Sequence, residues 1–542
     1  MVSRMTDPLN RFYGGLNRVR RLCPDLPVLA IQWMAVKHPL YAVQERLLKA
    51  SSMPEPARPF RRLAGRRPIL EFGTVAARLG ELPRLATWCL RCLAHAASLS
   101  TIIALLRWQL RRELATLKHQ SFALIAKTWC FGPERLPGDR DFYYGDLQRR
   151  LAGRGVRMLL LCGNANWGRA TLRGWRTFAR AHSQLGEVPR LPALSLSPLF
   201  APFRIAAQQV RASWRLGAIA HRARSPLLAA VSLAARRDAF SPQTMDNALL
   251  FWIAKSAVAR WRPQAFVALY EANSWERCVW WGVKTAHAAC RTVGYQHTVL
   301  FPYARSLLRP YVDARARSLP DIVLCLGRAT RERLREHHEP HGVSLIPFGS
   351  FRHNGATPAT SVPIDRRTIL VVPEGILSEV QLLFGFVARC AGRLPEYTFI
   401  LRCHPQIPMV EALERIPHRL AELPNVAVSD RQTIEEDFAR ASILLYRASS
   451  AVLYGILHGL LPIALHGGSP LEPDPLDGLT AWRRRCSTPE ELEVLLRAHE
   501  HAGRDTLEAE WQTARGYVRE HAGEVEESSI RELLTAVGLG GS

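Results

Sequence analysis

Between residues 122 and 465, short apolar runs of strand length alternate with stretches of helical periodicity, which restricts the chain to architectures built on parallel sheet. A first series of runs falls at Phe122–Ala126, Val156–Cys162, Phe266–Tyr270 and Thr292–His297. A second follows at Ile322–Leu326, Val343–Ile346, Thr368–Val372, Thr398–Leu401, Ser442–Tyr446 and Pro462–Leu465. The two series predict two α/β domains, at 119–315 and 316–488, after a helical and basic extension over 1–118 and before a charged helical tail over 489–542. At 48% hydrophobic residues, a chain of 542 has enough apolar surface for sizeable cores.

Residues 442–465 carry the densest signal. An apolar run ends in Ser449-Ser450, a helix of about ten residues follows, Gly459 stops it, and a second apolar run begins. The two serines read either as phosphate donors beside the unpaired N–H groups of a helix start or as plain N-caps. Upstream, Tyr397-Thr-Phe-Ile-Leu-Arg402-Cys-His404-Pro405 is another strand pattern ending in a His that Pro405 forces into an extended exit. Ligands of open α/β sheets bind at the carboxyl ends of the strands, so His404, Ser449 and Ser450 are expected in one crevice between two Rossmann-like domains.

The His404-Pro405 and Ser449-Ser450 pair resembles the HP and serine motifs of GT-B glycosyltransferases that use CMP-activated sugars, such as sialyl-, polysialyl- and capsule Kdo transferases. Glycerophosphotransferases that use CDP-glycerol have a similar layout. Lys127-Thr-Trp129, Asp141-Phe-Tyr-Tyr-Gly145-Asp146, Tyr270-Glu271 with Trp275-Glu276, and Gly294-Tyr295-Gln296-His297 resemble bacterial surface-carbohydrate biosynthesis proteins, so that the resemblance spans about residues 120–480. It implies a GT-B-like fold and transfer of a sugar from a nucleotide-activated donor to a polysaccharide or glycolipid acceptor. A degenerate partner protein on the same fold is the alternative, and UDP-sugar or CDP-glycerol donors stay open.

Inverting transfer needs a base for the acceptor hydroxyl and groups that meet the departing phosphate. Glu271, at a strand end, reads as that base or as part of a helix cap with Asn273 and Ser274. His297 ends the next strand as a second base or orienting group, with Gln296, Trp275 and Glu276 on the acceptor side. Trp275, Trp280 and Trp281 offer ring faces to a sugar or fill a core. In the second domain, Glu374 and Gly375 follow a strand and suit a ribose and a close backbone approach, while Arg402 suits phosphate or solvent. Asp139-Arg-Asp141 follows a turn and not a strand, so Asp141 is assigned to an acceptor-side loop, and no metal or cofactor is expected. His337-His338-Glu-Pro-His341 is read as a solvated helix end.

The formal charge of +25 invites a nucleic-acid partner, yet the basic residues are almost all Arg, and no RNP-like motif or zinc-finger spacing accompanies them. The same charge suits an anionic membrane leaflet or a polyanionic acceptor. Eleven scattered cysteines, mostly in apolar runs, point to reduced thiols and a cytoplasmic protein. Cys89-Leu-Arg-Cys92 has no second pair and reads as helix packing. No signal-peptide pattern opens the chain. Residues 85–108 form the most apolar long window, interrupted by Arg91, His95 and Arg107, and read as a buried domain helix or a peripheral membrane contact.

Overall fold

The computed structural model describes residues 14–31, 75–130, 140–165, 171–301, 304–308, 319–351, 359–363, 367–404, 407–414, 416, 420–467 and 474–540. Asp139, Pro302 and Pro405 lie outside the described residues.

Two fully parallel sheets organise the chain. The first contains β1 (Leu124–Cys130), β2 (Met158–Asn164), β3 (Arg190–Pro192), β4 (Ala265–Leu269), β5 (Arg291–Gln296), β6 (Ile322–Cys325) and β7 (Ser344–Pro347), in the order β3-β2-β1-β4-β5-β6-β7. The second contains β8 (Thr368–Pro373), β9 (Thr398–Leu401), β10 (Val426–Val428), β11 (Ile443–Arg447), β12 (Leu461–Leu465) and β13 (Arg484–Cys486), in the order β10-β9-β8-β11-β12-β13. Each order reverses direction once, between β1 and β4 and between β8 and β11, which is the doubly wound Rossmann pattern with its crevice at the reversal. The central strands are buried along nearly their whole length, as their largely apolar composition requires.

One assignment from the sequence is corrected. The runs at 322–326 and 343–346 were placed in the second series, but β6 pairs with β5 in the register Val293↔Ile322 and β7 pairs with β6, so the first sheet extends to Pro347. Apolar runs of this kind look alike in sequence, and only pairing decides which sheet takes them. β3, β10 and β13, at three residues each, were too short to register as strands.

Helical additions complete both cores. The buried face of helix Val75–Gln109, including Cys92, Ala96, Leu99, Ile103 and Leu106, joins the core of the first sheet. Between β3 and β4, helices Ala201–Arg222, Pro226–Asp238 and Pro242–Trp261 form a helical layer. The latter two each begin with a Ser N-cap followed by Pro, Ser241 Oγ accepting from Thr244 N at 3.1 Å. At the other end of the chain, helices Pro489–His501 and Arg504–His521 pack on the second core through Leu492, Leu496, Leu507 and Trp511. The last helix, Glu527–Ala536, crosses to the first core through Ile530 and Leu533. The crossing is tight. Ser350 bridges Glu524, and Gly349, at φ +101, has no room for a Cβ, which would lie 2.5 Å from Glu524 O.

Candidate functional site

In the first domain, Tyr270 and Glu271 leave the carboxyl end of β4, and Ala272 adopts a left-handed φ of +62, costing on the order of 1 kcal/mol. Glu276, two residues into helix Ser274–Ala286, holds this loop. Its two carboxylate oxygens accept Glu271 N–H at 3.0 and 3.1 Å, and Oε1 accepts Asn273 Nδ2 at 2.9 Å. Glu276 is fully buried, and burial pushes its carboxyl up to about 8 against the pull of those donors. Glu276 is therefore a positioning residue, a correction to its assignment as an acceptor contact. Asn273, at the N-cap position, makes no side-chain cap bond, and its Nδ2 donates to Glu271 Oε2 at 3.3 Å.

His297 follows β5 and is 6% exposed. Its Nε2 stands 3.9 Å from Glu271 Oε1, and its Nδ1 lies 3.4 Å from Tyr295 O. Tyr143 packs edge-on against the imidazole at 4.8 Å. Asp141 sets Tyr143 in place, because its buried Oδ1 accepts N–H from Tyr143 at 2.8 Å and Tyr144 at 2.9 Å and the Thr128 hydroxyl at 3.1 Å. Burial raises the Asp141 carboxyl while these donors lower it. Asp141 thus builds the wall of the site and does not reach for an acceptor.

Two further acceptor-side assignments are corrected. Gln296 is fully buried, its Oε1 accepting Leu326 N–H at 3.2 Å and its Nε2 donating to Thr298 O, so it ties β5 to the end of β6. Trp275 stands edge-on to Trp129 at 5.6 Å, and the buried Lys127 Nζ lies 2.9 Å from the Trp129 ring centroid and 3.9 Å from that of Trp275. These rings enclose a cation inside the domain and present no face to a sugar. Trp280 is likewise core, and Trp281 packs against it. The His337–His341 run also differs from expectation. His338 is fully buried beneath the β4 end, 3.1 Å from Tyr270 Oη, and burial lowers its pKa to about 4.

In the second domain, the donor-side candidates come from three neighbouring strands, β9, β8 and β11, around the order reversal. Glu374 and Gly375 follow β8, and the His404 imidazole lies against Gly375 so closely that a Cβ there would meet Nδ1 at 2.7 Å. Arg447 ends β11 opposite Pro373, paired with Glu379 of helix Leu377–Ala391 and donating to Leu465 O at 3.2 Å. That pair, invisible in the sequence, braces the ends of β11 and β12. Ala448 follows at φ +57, turning the chain so that Ser449 and Ser450 precede helix Ala451–Leu457. This helix is seven residues long, shorter than expected, and Gly459 at φ +82 ends it. Ser450 sits at the N-cap position without a side-chain cap bond, so capping does not account for its hydroxyl.

Arg402 does not join this group. Its guanidinium pairs with Asp437, whose side chain is fully buried, and donates to Ser429 Oγ at 3.2 Å, Thr433 O at 2.9 Å and Gln432 O at 3.2 Å. It locks the loop after β10, a correction to its assignment to the donor phosphate.

Residues beyond strands of both sheets meet at one cavity, lined by Val299 and Leu300 beyond β5, Arg333 of the helix that follows β6, Asp474 and Asp477 beyond β12, and Tyr517 of the penultimate helix. Among the described residues, one group has the geometry for a metal ion. Cys130, Cys162 and His182 bring their ligand atoms within 4.8 Å of one another, all buried. The hydrogen bond from Cys162 and burial both push the Cys130 thiol up, favouring the protonated form, which is not the ligating one.

No family model matches the chain, and no curated protein does. Among solved structures, the chain is similar to the glycotransferase of kitacinnamycin at 15% identity and a TM-score of 0.44, over 77% of this chain and 99% of that one. It is similar to UDP-GlcNAc 2-epimerase from Neisseria meningitidis bound to UDP-GlcNAc at 10% identity and a TM-score of 0.43, over 77% and 99%. For the glycosyltransferase SnogD from Streptomyces nogalater the values are 14% and 0.39, over 77% and 100%. The fold rests on the strand orders, which give two Rossmann-like domains in a GT-B-like arrangement.

Proposed function

We propose that this chain is a glycosyltransferase that moves a sugar from a nucleotide-activated donor, CMP-linked, to a surface-polysaccharide or glycolipid acceptor at the cytoplasmic side of the membrane. One observation carries the reading: a carboxylate and an imidazole, Glu271 and His297, stand together at strand ends of one sheet, while a second imidazole and a hydroxyl pair, His404 with Ser449 and Ser450, stand at strand ends of the other.

In the proposed reaction the acceptor hydroxyl oxygen bonds to the anomeric carbon as the bond from that carbon to the donor phosphate oxygen breaks. Glu271 takes the hydroxyl proton, and His297, walled in by Tyr143, orients that carboxylate. The electron pair of the broken bond leaves on the nucleotide phosphate, which Ser449, Ser450 and the His404 imidazole meet as hydrogen-bond donors. Glu374, which follows β8, is proposed to accept the ribose hydroxyls. Asp141, committed to backbone N–H groups, is not put forward as a cation ligand, and transfer is proposed to proceed without a metal or cofactor.

The deciding experiment is a thermal-shift panel with CMP, CDP, UDP and GDP. Stabilisation by CMP above the others supports the donor assignment, preference for UDP or CDP moves it, and no response to any of the four overturns the nucleotide site.

A further inference from the structure

Helix Val75–Gln109 contains a stretch, Leu85–Gln109, that is long and apolar enough to cross a membrane, yet a third of its most apolar window is buried in the protein. Its inner face, with Ala96, Ile103 and Leu106, belongs to the core of the first sheet, and Cys92 Sγ donates to Phe240 O at 3.3 Å. A helix anchored in this way cannot cross a bilayer without giving up that core. Its outer face is nonetheless not that of a soluble surface helix. Leu90, Ala94, Ala97, Thr101, Ala104 and Trp108, spaced by four and three residues, form one exposed stripe, with Leu90 at 67% and Trp108 at 60% exposure. Thr101 directs its hydroxyl back to Ala97 O at 3.0 Å. The stripe is about 27 Å long.

Helix Ala201–Arg222 runs antiparallel beside it. Ser100 Oγ donates to Leu199 O at 2.9 Å, and Gln209 reaches Ala239 O next to the Cys92 partner. This brings the start of that helix, with exposed Leu199, Phe200 and Phe203, beside helix Val75–Gln109, Phe200 standing edge-on to Trp252 at 5.9 Å, and Trp214, 68% exposed, lies three turns farther along the face of Phe203. The charges around these aromatic groups are mostly of one sign. Neither Leu85–Gln109 nor Ala201–Arg222 contains an acidic residue, while Arg91, Arg111, Arg112, Arg204 and Arg211 border the apolar surface and outnumber Glu113, the acid beside Arg112. Asp246 and Asp25 are held by His95 and Arg215.

We propose that this two-helix face docks in the plane of an anionic lipid bilayer, the aromatic and leucine side chains entering the acyl boundary and the arginines meeting the headgroup phosphates. An excess of positive charge selects a negatively charged lipid surface over a second copy of the same basic face, which would meet it with like charge. The position fits the cleft. Arg107 Nε donates to Ser195 O at 3.1 Å in the turn that follows β3, so the docked face borders the carboxyl edge of the first sheet, where a lipid-borne acceptor would arrive. The docking itself does not depend on the proposed transfer reaction.

The test is co-sedimentation of the full chain with phosphatidylcholine vesicles and with vesicles of phosphatidylcholine mixed with phosphatidylglycerol. Binding is expected to the mixed vesicles only, to fall with added salt, and to drop by about tenfold or more in a Leu90→Glu, Trp108→Glu double variant and in Phe203→Glu, Trp214→Glu. These side chains are solvent-facing, so the melting temperature and the response to nucleotide should stay at wild-type values. Failure of the full chain to sediment with the mixed vesicles, unchanged binding by both double variants, or a dimer by light scattering that the same substitutions dissolve would each overturn the proposal.

Discussion

His297 Nε2 lies 3.9 Å from Glu271 Oε1 across the carboxyl ends of adjacent strands, with the imidazole buried and the carboxylate about 30% exposed. Burial of one member and exposure of the other fits the proposed division of roles, in which the accessible carboxylate faces substrate and the imidazole orients it.

Glu271→Gln keeps the shape of the side chain and removes its capacity to take a proton. Turnover should fall by about a hundredfold or more while donor affinity is unchanged. Full activity in Glu271→Gln together with a dead His297→Ala would transfer the base role to His297, and full activity in both would remove the pair from the reaction.

Ser449→Ala combined with Ser450→Ala should weaken nucleotide binding by about 1–3 kcal/mol, measured by calorimetry. Ser450 makes no cap bond and Ala suits a helix start in αR geometry, so the melting temperature should barely move. Wild-type affinity in the folded double variant would dismiss these hydroxyls as phosphate donors.

Gly375→Ala would put a Cβ 2.7 Å from His404 Nδ1 and push the imidazole aside. Nucleotide affinity is expected to fall by about tenfold, equivalent to roughly 1.4 kcal/mol, and a normal Kd would show that His404 does not act from this position.

Arg402→Ala should behave as a stability variant. It leaves the fully buried Asp437 carboxylate with the Ser429 hydroxyl and the more distant Arg440 at 3.8 Å, a loss of roughly 3 kcal/mol by chemical denaturation. A stable variant that fails to bind nucleotide would instead restore Arg402 to the donor site.

Glu276 predicts a pH dependence. Its carboxyl is raised by burial from the ordinary 4.5 to about 8, so the folded state prefers the protonated form. Its contribution to stability is complete below about pH 4.5, declines as the pH rises, and is lost above about 8, on the order of a few kcal/mol in all. Glu276→Gln, neutral at every pH, should flatten that part of the stability profile. An unchanged profile would mean that Glu276 is ionised in the fold.

The class of architecture was legible in the amino-acid order, and so were the positions of the residues that follow the strands. Short apolar runs such as residues 443–446, bounded by turn signals and alternating with helical stretches, read as strands covered on both faces, which puts the residues that follow such runs, Glu271, His297, Glu374 and Ser449, at or just beyond strand ends. Ranking those residues required tertiary structure. Arg402, Gln296, Trp275 and Asp141 have the chemistry of ligand contacts, and each is instead consumed by a partner distant in sequence or by the local backbone: Asp437, Leu326, the Lys127 cage and the turn at 143–144. Sheet membership of β6 and β7 was decided in the same way, by register, and the helix at 85–109 by which of its faces found a core. Local composition specifies what a segment is able to form, whereas a side chain's role depends on which neighbours the fold supplies and whether they use up its hydrogen bonds before a substrate does.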